Sequence, residues 1–241
     1  MLTRRPSMLL ALFLFVAGIA GAGENAAAPQ QLKKGDKVVF LGDSITQQGG
    51  GPKGYVTLVK KVLDEKQKDL GVEVVNAGIS GHKVPDLQKR LEKDVLSKKP
   101  TVVVIYIGIN DVWHSKSGRG TPKDKYEEGL KDLIAQITKA GARVILCTPT
   151  VIGEKTDGSN EFDKMLEEYS DVSRSVAKDT KTQMLDLHKI FQDYLKENNK
   201  ENKPKGVLTS DAVHLSETGN KFVALQMLAA LGVTVKMDDF K

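Results

Sequence analysis

The chain is poor in the features that staple or anchor a protein of its size. Cysteine occurs once in 241 residues, as Cys147 inside the apolar run Val144-Ile145-Leu146-Cys147, so an intrachain disulfide is excluded and stability has to come from packing. Aromatic residues make up only 5% of the chain. With no long apolar lid or interfacial helix in evidence, a protein that docks on a fat surface is disfavoured. The four histidines are dispersed, with no Cys or carboxylate at ligand spacing, so no metal site is expected and no cofactor is assigned. Neither sign of charge dominates: the formal charge is +5, and Lys alternates with Asp and Glu along the helical segments. That pattern describes a solvated surface and not a nucleic-acid footprint.

A long apolar run is missing everywhere except near the start, where Arg4 and Arg5 precede Met8 to Ala20 and Ala20-Gly21-Ala22 follows. This order reads as a signal peptide over residues 1–22. The run is too short to cross a bilayer as a helix, which takes roughly twenty apolar residues, and no Cys follows it to carry a lipid. Pro6 after the arginine pair favours the Sec route over Tat. The expectation is an exported protein, periplasmic or extracellular, with no stable membrane insertion and a single domain over 23–241. Loss of Arg4 and Arg5 lowers its formal charge to +3.

After a polar linker through Pro29, short apolar runs alternate with longer amphipathic ones, the pattern of a parallel sheet covered by helices on both faces. Strands are predicted at Lys37–Leu41, Val72–Asn76, Val102–Ile107, Arg143–Cys147 and Gln183–Asp186. The run Thr-Val-Val-Val-Ile-Tyr-Ile at 101–107 does not alternate, as expected of a central strand buried on both sides. Helical spacing follows in Tyr55, Leu58, Val59, Val62, then Leu87, Leu91, Val95, then Tyr126, Leu130, Leu133, Ile134, Ile137. The third of these helices is predicted to start with Thr121 as N-cap and Pro122 in the first helical position. Later helices are expected over Asn160 to Lys178 and Ser216 to Leu231, and Val235 to Lys241 reads as a frayed tail.

Ligands of open parallel sheets bind beyond the carboxyl ends of the strands. There the first strand delivers Gly42-Asp43-Ser44, the second Asn76-Ala77-Gly78, and the third Gly108-Ile109-Asn110-Asp111, while Asp211-Ala212-Val213-His214 precedes the last helix. Each residue type has a job in acyl transfer. A serine hydroxyl needs a base to take its proton, and His214 can serve. The other ring nitrogen needs a carboxylate to fix the tautomer, and Asp211 is within one turn. The developing oxyanion needs donors worth about 3–4 kcal/mol apiece, for which the amides of Ser44 and Gly78 and the Asn110 side chain are candidates.

Gly-Asp-Ser-Ile-Thr at 42–46, Asn-Ala-Gly-Ile-Ser-Gly at 76–81, Gly-Ile-Asn-Asp at 108–111 and Asp-x-x-His at 211–214 occur in the order of the blocks of SGNH, or GDSL-type, hydrolases. The resemblance spans about Val38 to Leu231. It implies a flavodoxin-like α/β/α sandwich, three layers around a parallel five-stranded sheet, with Ser44 as nucleophile, Gly78 and Asn110 in the oxyanion hole, and Asp211 and His214 completing the triad. It implies a serine esterase and leaves the ester open, since members act on acetylated polysaccharides, lysophospholipids, thioesters and simple lipids. Export, a polar entrance and the likeness to bacterial carbohydrate esterases favour an O-acetyl ester on a sugar or polysaccharide. A lysophospholipase or thioesterase of the same family is the alternative.

Blander uses compete for some of these residues. Ser44 would serve as a helix N-cap, Asp43 as the organiser of its turn, and Gly78 and Gly81 as turn residues with positive φ. Ser80 lies in a partial G-x-S-x-G that fails at His82. Trp113 is a candidate for the substrate pocket; His114 and His82 are weaker ones, His188 is assigned no role, and Cys147 reads as core. Gly49-Gly50-Gly51-Pro52-Lys53-Gly54 formally matches the dinucleotide fingerprint, yet seven residues lie between the strand end and its first Gly, and the second strand ends in Asn76 where an acid is required. A mobile loop beside the site is the preferred reading there.

Overall fold

The computed structural model describes residues 30–240; the expected signal peptide and the linker through Pro29 lie outside the described residues. Five parallel strands, β1 (Lys37–Gly42), β2 (Glu73–Gly78), β3 (Val102–Tyr106), β4 (Arg143–Cys147) and β5 (Gln183–Leu185), pair in the order β2-β1-β3-β4-β5. The apolar run in β3 is buried along its whole length, as its lack of alternation requires. β2 is an edge strand, and its first four residues are half-buried or exposed.

Eight helices accompany the strands among the described residues: α1 (Ser44–Gly49), α2 (Tyr55–Lys66), α3 (Val84–Asp94), α4 (Ile109–Trp113), α5 (Lys123–Lys139), α6 (Asp163–Asp179), α7 (Leu187–Asn198) and α8 (Glu217–Ala230). They cover both faces of the sheet. α2 packs on α8, while α3 packs on α5 and α5 on α6; Phe191 of α7 meets Phe222 of α8 edge to face at 5.6 Å. The helical stripes Tyr55/Leu58/Val59/Val62, Leu87/Leu91 and Tyr126/Leu130/Leu133/Ile134/Ile137 are all buried in one continuous core with the strands. This is the expected three-layer α/β/α sandwich. The strand order reverses direction between β1 and β3, so the crevice beyond their carboxyl ends is the topological switch point where ligands of such sheets bind.

Several boundaries differ from the sequence reading. β2 runs two residues further than expected, to Gly78, because Leu41 and Gly42 of β1 continue the ladder to Ala77 and Gly78. Asp186, read as the end of β5, instead caps α7, its carboxylate accepting the Lys189 amide at 3.1 Å. Thr121 is not the N-cap of α5: Pro122 has extended ψ 145° and the helix begins at Lys123. Ser216 does cap α8, accepting the Gly219 amide at 3.1 Å.

Candidate active site

The chain turns from β1 into α1 within two residues, and two local features force it. A Cβ at Gly42 would lie 2.2 Å from the Thr46 hydroxyl and 2.5 Å from the Tyr106 carbonyl oxygen, so only glycine fits. Asp43 then caps α1, its carboxylate accepting the Ile45 amide at 2.9 Å. Ser44 is thereby the first helical residue and Asp43 the cap, the turn-organising role expected of it. Asp43 is buried, and that burial pushes its carboxyl up to about 7, with Asp111 adding to the rise.

His214 comes from the other end of the chain. Its Nε2 lies 2.9 Å from Ser44 Oγ and its Nδ1 lies 2.7 Å from Asp211 Oδ2. The second Asp211 oxygen accepts the backbone amides of His214 at 2.7 Å and Val213 at 3.0 Å. Partial burial alone would raise the Asp211 carboxyl, but the bonds from the His214 ring and from the two amides outweigh it and hold the group below its usual value. An acceptor-only carboxylate at Nδ1 leaves the proton there and directs the Nε2 lone pair at the Ser44 hydroxyl.

The segment bearing Asp211 and His214 has no helix or long strand to hold it. A two-residue antiparallel bridge, Thr209 with Leu215, closes its base, and Ser210 N–H donates to the His214 carbonyl at 2.8 Å. Ala212 at its tip has φ +83°, and its carbonyl accepts the Gly153 amide at 2.8 Å. Underneath sits Glu154, fully buried. Its carboxylate accepts the amides of Val207 at 2.8 Å and Leu208 at 2.7 Å, the Thr209 amide, and the Thr209 hydroxyl at 2.8 Å. No spacing rule ties residue 154 to residues 207–209, so the sequence carried no signal for this contact.

A second fastening went unnoticed although a signal existed. Arg90 falls on the apolar stripe of α3 between Leu87 and Leu91, and a cation there needs buried acceptors. It is 8% exposed and donates to the Gly42 carbonyl and the Ala77 carbonyl, both at 2.8 Å, and to His82 Nδ1 at 3.1 Å. Arg90 thus bolts together the ends of β1 and β2 directly before Ser44 and Gly78. Burial, then the Arg90 charge, holds the His82 imidazole below its ordinary value.

Asn110 lies in the first turn of α4, buried, with Nδ2 donating to the His82 carbonyl at 3.1 Å. Gly78 serves close packing, since a Cβ there would meet Gln47 N at 2.2 Å and Thr46 C at 2.6 Å, and α1 could not approach β2. Its φ is not positive, and its N–H donates to Asn76 Oδ1 at 2.8 Å. In this arrangement the Gly78 amide is engaged. Gly81, in the turn that follows, has φ +77° and no acceptor for its amide among the described residues. That turn is tied to α1 by Ser80, whose amide donates to Gln47 Oε1 at 2.8 Å.

Trp113, the last residue of the helix that carries Asn110, and Ile79, directly after Gly78, are 40% and 37% exposed. His188 is buried against Glu167 at 3.0 Å and the Thr150 carbonyl, a packing role. Cys147 is core, its thiol pushed up by burial. In the Gly49–Gly54 loop the amides of Gly50, Gly51 and Gly54 donate to Gln47, Gln48 and Gly51 carbonyls at 2.9–3.2 Å, leaving none of the three for a phosphate. Asn220 of α8 accepts the Tyr55 amide at 2.9 Å, and Lys53 pairs with Glu217 at 2.7 Å, so the loop is clipped to α8. Among the described residues no helix is long and apolar enough to cross a membrane, and no cluster of three His, Cys, Asp or Glu is placed to hold a metal ion.

Comparison with known proteins agrees in kind. The model of the GDSL-like lipase/acylhydrolase family matches residues 40–222. An acetylxylan esterase of Geobacillus stearothermophilus is 33% identical over 221 residues, covering 84% of this chain and 96% of the relative. An isoamyl acetate-hydrolyzing esterase 1 homolog of Mus musculus is 28% identical over 213 residues, 81% of each chain. Among solved structures, the acetyl xylan esterase AlAXEase superposes with a TM-score of 0.79 at 47% identity, over 81% of this chain and 99% of that one.

Proposed function

Because the chain belongs to the GDSL-like lipase/acylhydrolase family and is a carboxylic ester hydrolase, we propose that it removes O-acetyl groups from a carbohydrate through a Ser44-His214-Asp211 triad. The observation that carries the reading is the continuous relay from Ser44 Oγ to His214 Nε2 at 2.9 Å and from Nδ1 to Asp211 at 2.7 Å. His214 takes the Ser44 proton as Oγ attacks the acetyl carbon, and returns it to the departing sugar oxygen. Water then repeats the sequence on the acyl-enzyme. The oxyanion is met by the Ser44 amide and by Asn110 Nδ2, whose second hydrogen is not spent on the His82 carbonyl. The turn after β2 supplies the third donor. Gly78 reaches the oxyanion only by leaving Asn76, whereas the Gly81 amide is unengaged and lies one residue from the carbonyl that holds Asn110.

An acetyl-sugar substrate is supported by the acetylxylan esterase and acetyl xylan esterase relatives. Release of the product outside the cytoplasm fits the export leader expected over residues 1–22.

The test is hydrolysis of p-nitrophenyl acetate without added metal, followed by acetylated xylan and, as the competing class, lysophosphatidylcholine. Ser44→Ala and His214→Ala are expected to lower kcat by about 10⁴-fold or more. Retention of activity in both variants sinks the triad, and a preference for lysophosphatidylcholine over acetylated xylan sinks the substrate class.

A further inference from the structure

Next to the catalytic crevice the structure places two cations without anionic partners. Lys83 follows His82 directly, and the His82 carbonyl holds the Asn110 side chain at 3.1 Å, so Lys83 begins α3 beside an oxyanion residue. Its Nζ donates to the Arg119 carbonyl at 2.6 Å. Arg119 in turn is folded back onto the segment after α4, its amide on the His114 carbonyl at 3.0 Å and its Nε on Ser117 Oγ at 3.1 Å. Neither side chain forms an ion pair among the described residues, although twenty other such contacts are present.

Asp111, the carboxylate on which Lys83 acts most directly, is buried and accepts the Val84 amide at 3.1 Å. Glu161 pairs with Lys116 at 2.7 Å. Asp86 accepts the Lys83 backbone amide at 3.1 Å and faces Lys89 at 3.7 Å. Neither Glu161 nor Asp86 forms an ion pair with Lys83 or Arg119. His114 registers the two cations: burial first, then Lys83 and Arg119, hold its imidazole below the ordinary value.

Trp113 adjoins His114, the imidazole on which both cations act. It lies three residues after Asn110, so the two share a face of α4. Its ring stacks obliquely beside His114, with centroids 6.3 Å apart and planes at 33°, and it is 40% exposed. An exposed indole beside an oxyanion donor offers a flat apolar face to a pyranose ring, with polar groups at its rim for the hydroxyls.

We propose that the alcohol side of the site recognises an acidic glycan: the acetylated sugar rests on Trp113 and a neighbouring uronate carboxylate is received by Lys83 and Arg119. The inference rests on the carbohydrate O-acetylesterase reading above and narrows it to uronate-bearing chains.

The experiment compares kcat/KM for acetylated xylo-oligosaccharides with and without a glucuronate branch, with p-nitrophenyl acetate as the acyl-only reference. The branched substrate is expected to be favoured by about fivefold to tenfold at low salt, since two exposed ion pairs contribute little each. The preference should collapse on raising the ionic strength to about 0.5 M. Lys83→Gln/Arg119→Gln is expected to abolish the preference while leaving hydrolysis of the unbranched oligosaccharide and of p-nitrophenyl acetate unchanged. Trp113→Ala should lower kcat/KM for both oligosaccharides. Equal rates on the branched and unbranched sugars in the unmodified protein overturn this proposal alone. A double variant that slows all three substrates equally also overturns it, because the cations then act through the fold. If neither oligosaccharide is hydrolysed while p-nitrophenyl acetate is, the carbohydrate reading itself fails and takes this one with it.

Discussion

Glu154→Gln tests whether a buried carboxylate 60 residues before His214 holds the His214 loop in place. In the native arrangement both carboxylate oxygens only accept: Oε1 takes the Leu208 and Thr209 amides and the Thr209 hydroxyl, and Oε2 takes the Val207 amide. Glutamine keeps the shape and one acceptor oxygen. If that oxygen replaces Oε1, its NH₂ faces the Val207 N–H donor to donor, and the side chain loses its charge for the other three bonds. One buried donor left unsatisfied costs about 1–3 kcal/mol, and weakening of the remaining bonds adds to it, while relief from burying a charge subtracts. A net loss of about 2–3 kcal/mol corresponds to a fall in Tm of roughly 5–10 °C for a chain of this length.

The loop that loses its anchor carries His214, so kcat should fall as well, by about tenfold, because displacements of an ångström are enough to spoil proton transfer. Thermal unfolding and p-nitrophenyl acetate kinetics read the two effects. Glu201→Gln is the control, since Glu201 is exposed and pairs with Lys203 at 2.8 Å; its Tm should move by no more than about 1 °C. An unchanged Tm together with unchanged kcat in Glu154→Gln would refute the reasoning.

Other perturbations have equally definite outcomes. Arg90→Met keeps the stem packing of α3 but removes the guanidinium bonds to the Ala77 carbonyl and to the Gly42 carbonyl, the latter keeping the Ile79 amide at 3.2 Å; it should cost about 2–4 kcal/mol in urea unfolding and lower kcat more than it raises KM. Gly78→Ala should fold poorly or not at all, because the new methyl meets the Gln47 backbone at 2.2 Å, whereas Gly81→Ala meets no atom within 4 Å and should lose only about 1–2 kcal/mol to its left-handed φ, as circular dichroism melts of both will register. Asp43 supplies a pH prediction whose sign follows from its raised folded-state value of about 7. Between about pH 4 and 7 the folded state holds a proton that the unfolded state releases, so this group makes stability fall as pH rises through that window and level off above it. Asp111, raised by burial to about 6, contributes in the same direction. Asp43→Asn retains an acceptor for the Ile45 amide and should flatten Tm between about pH 5 and 8 relative to the unmodified protein; parallel curves would rule the buried carboxyl out as the cause.

The architecture was legible in the sequence because it is written in local patterns. A strand buried on both faces has to be apolar throughout, as β3 is, and a covering helix has to repeat its apolar residues every three or four positions, as α5 does. Boundaries were less legible where a neighbour decides them. β2 extends through Ala77 and Gly78 because β1 offers partners there, which no propensity in Asn-Ala-Gly announces. The start of α5 was misjudged because Thr-Pro at 121–122 fits a helix start as well as the extended turn it forms, in which the Thr121 amide donates to the Asp111 carbonyl at 3.1 Å. α7 was not delineated as a helix.

The candidate site divides along the same line. Ser44 and Asn110 could be singled out because each follows a recognisable strand in a short block of its own, and Asp211 and His214 because they share a block ahead of α8. Glycines were harder to read, since the residue name says only that a Cβ is unwelcome and not why. Gly78 excludes a side chain because α1 presses on it, while Gly81 needs its left-handed φ, and the two reasons point to different amides for the oxyanion. The side chains that fix the geometry, Arg90 beneath β1 and β2 and Glu154 beneath the His214 loop, bond to backbone groups distant in sequence, and backbone acceptors and donors have no letter of their own. Arg90 could still be suspected, because a guanidinium on an apolar helical stripe demands buried carbonyls; Glu154 could not, because its donors are main-chain amides of a loop without periodicity. The substrate preference argued for Lys83 and Arg119 belongs to this second class. It depends on which cations lack an anion after folding, and pairing of that kind is settled only when the loop after α4 closes onto α3.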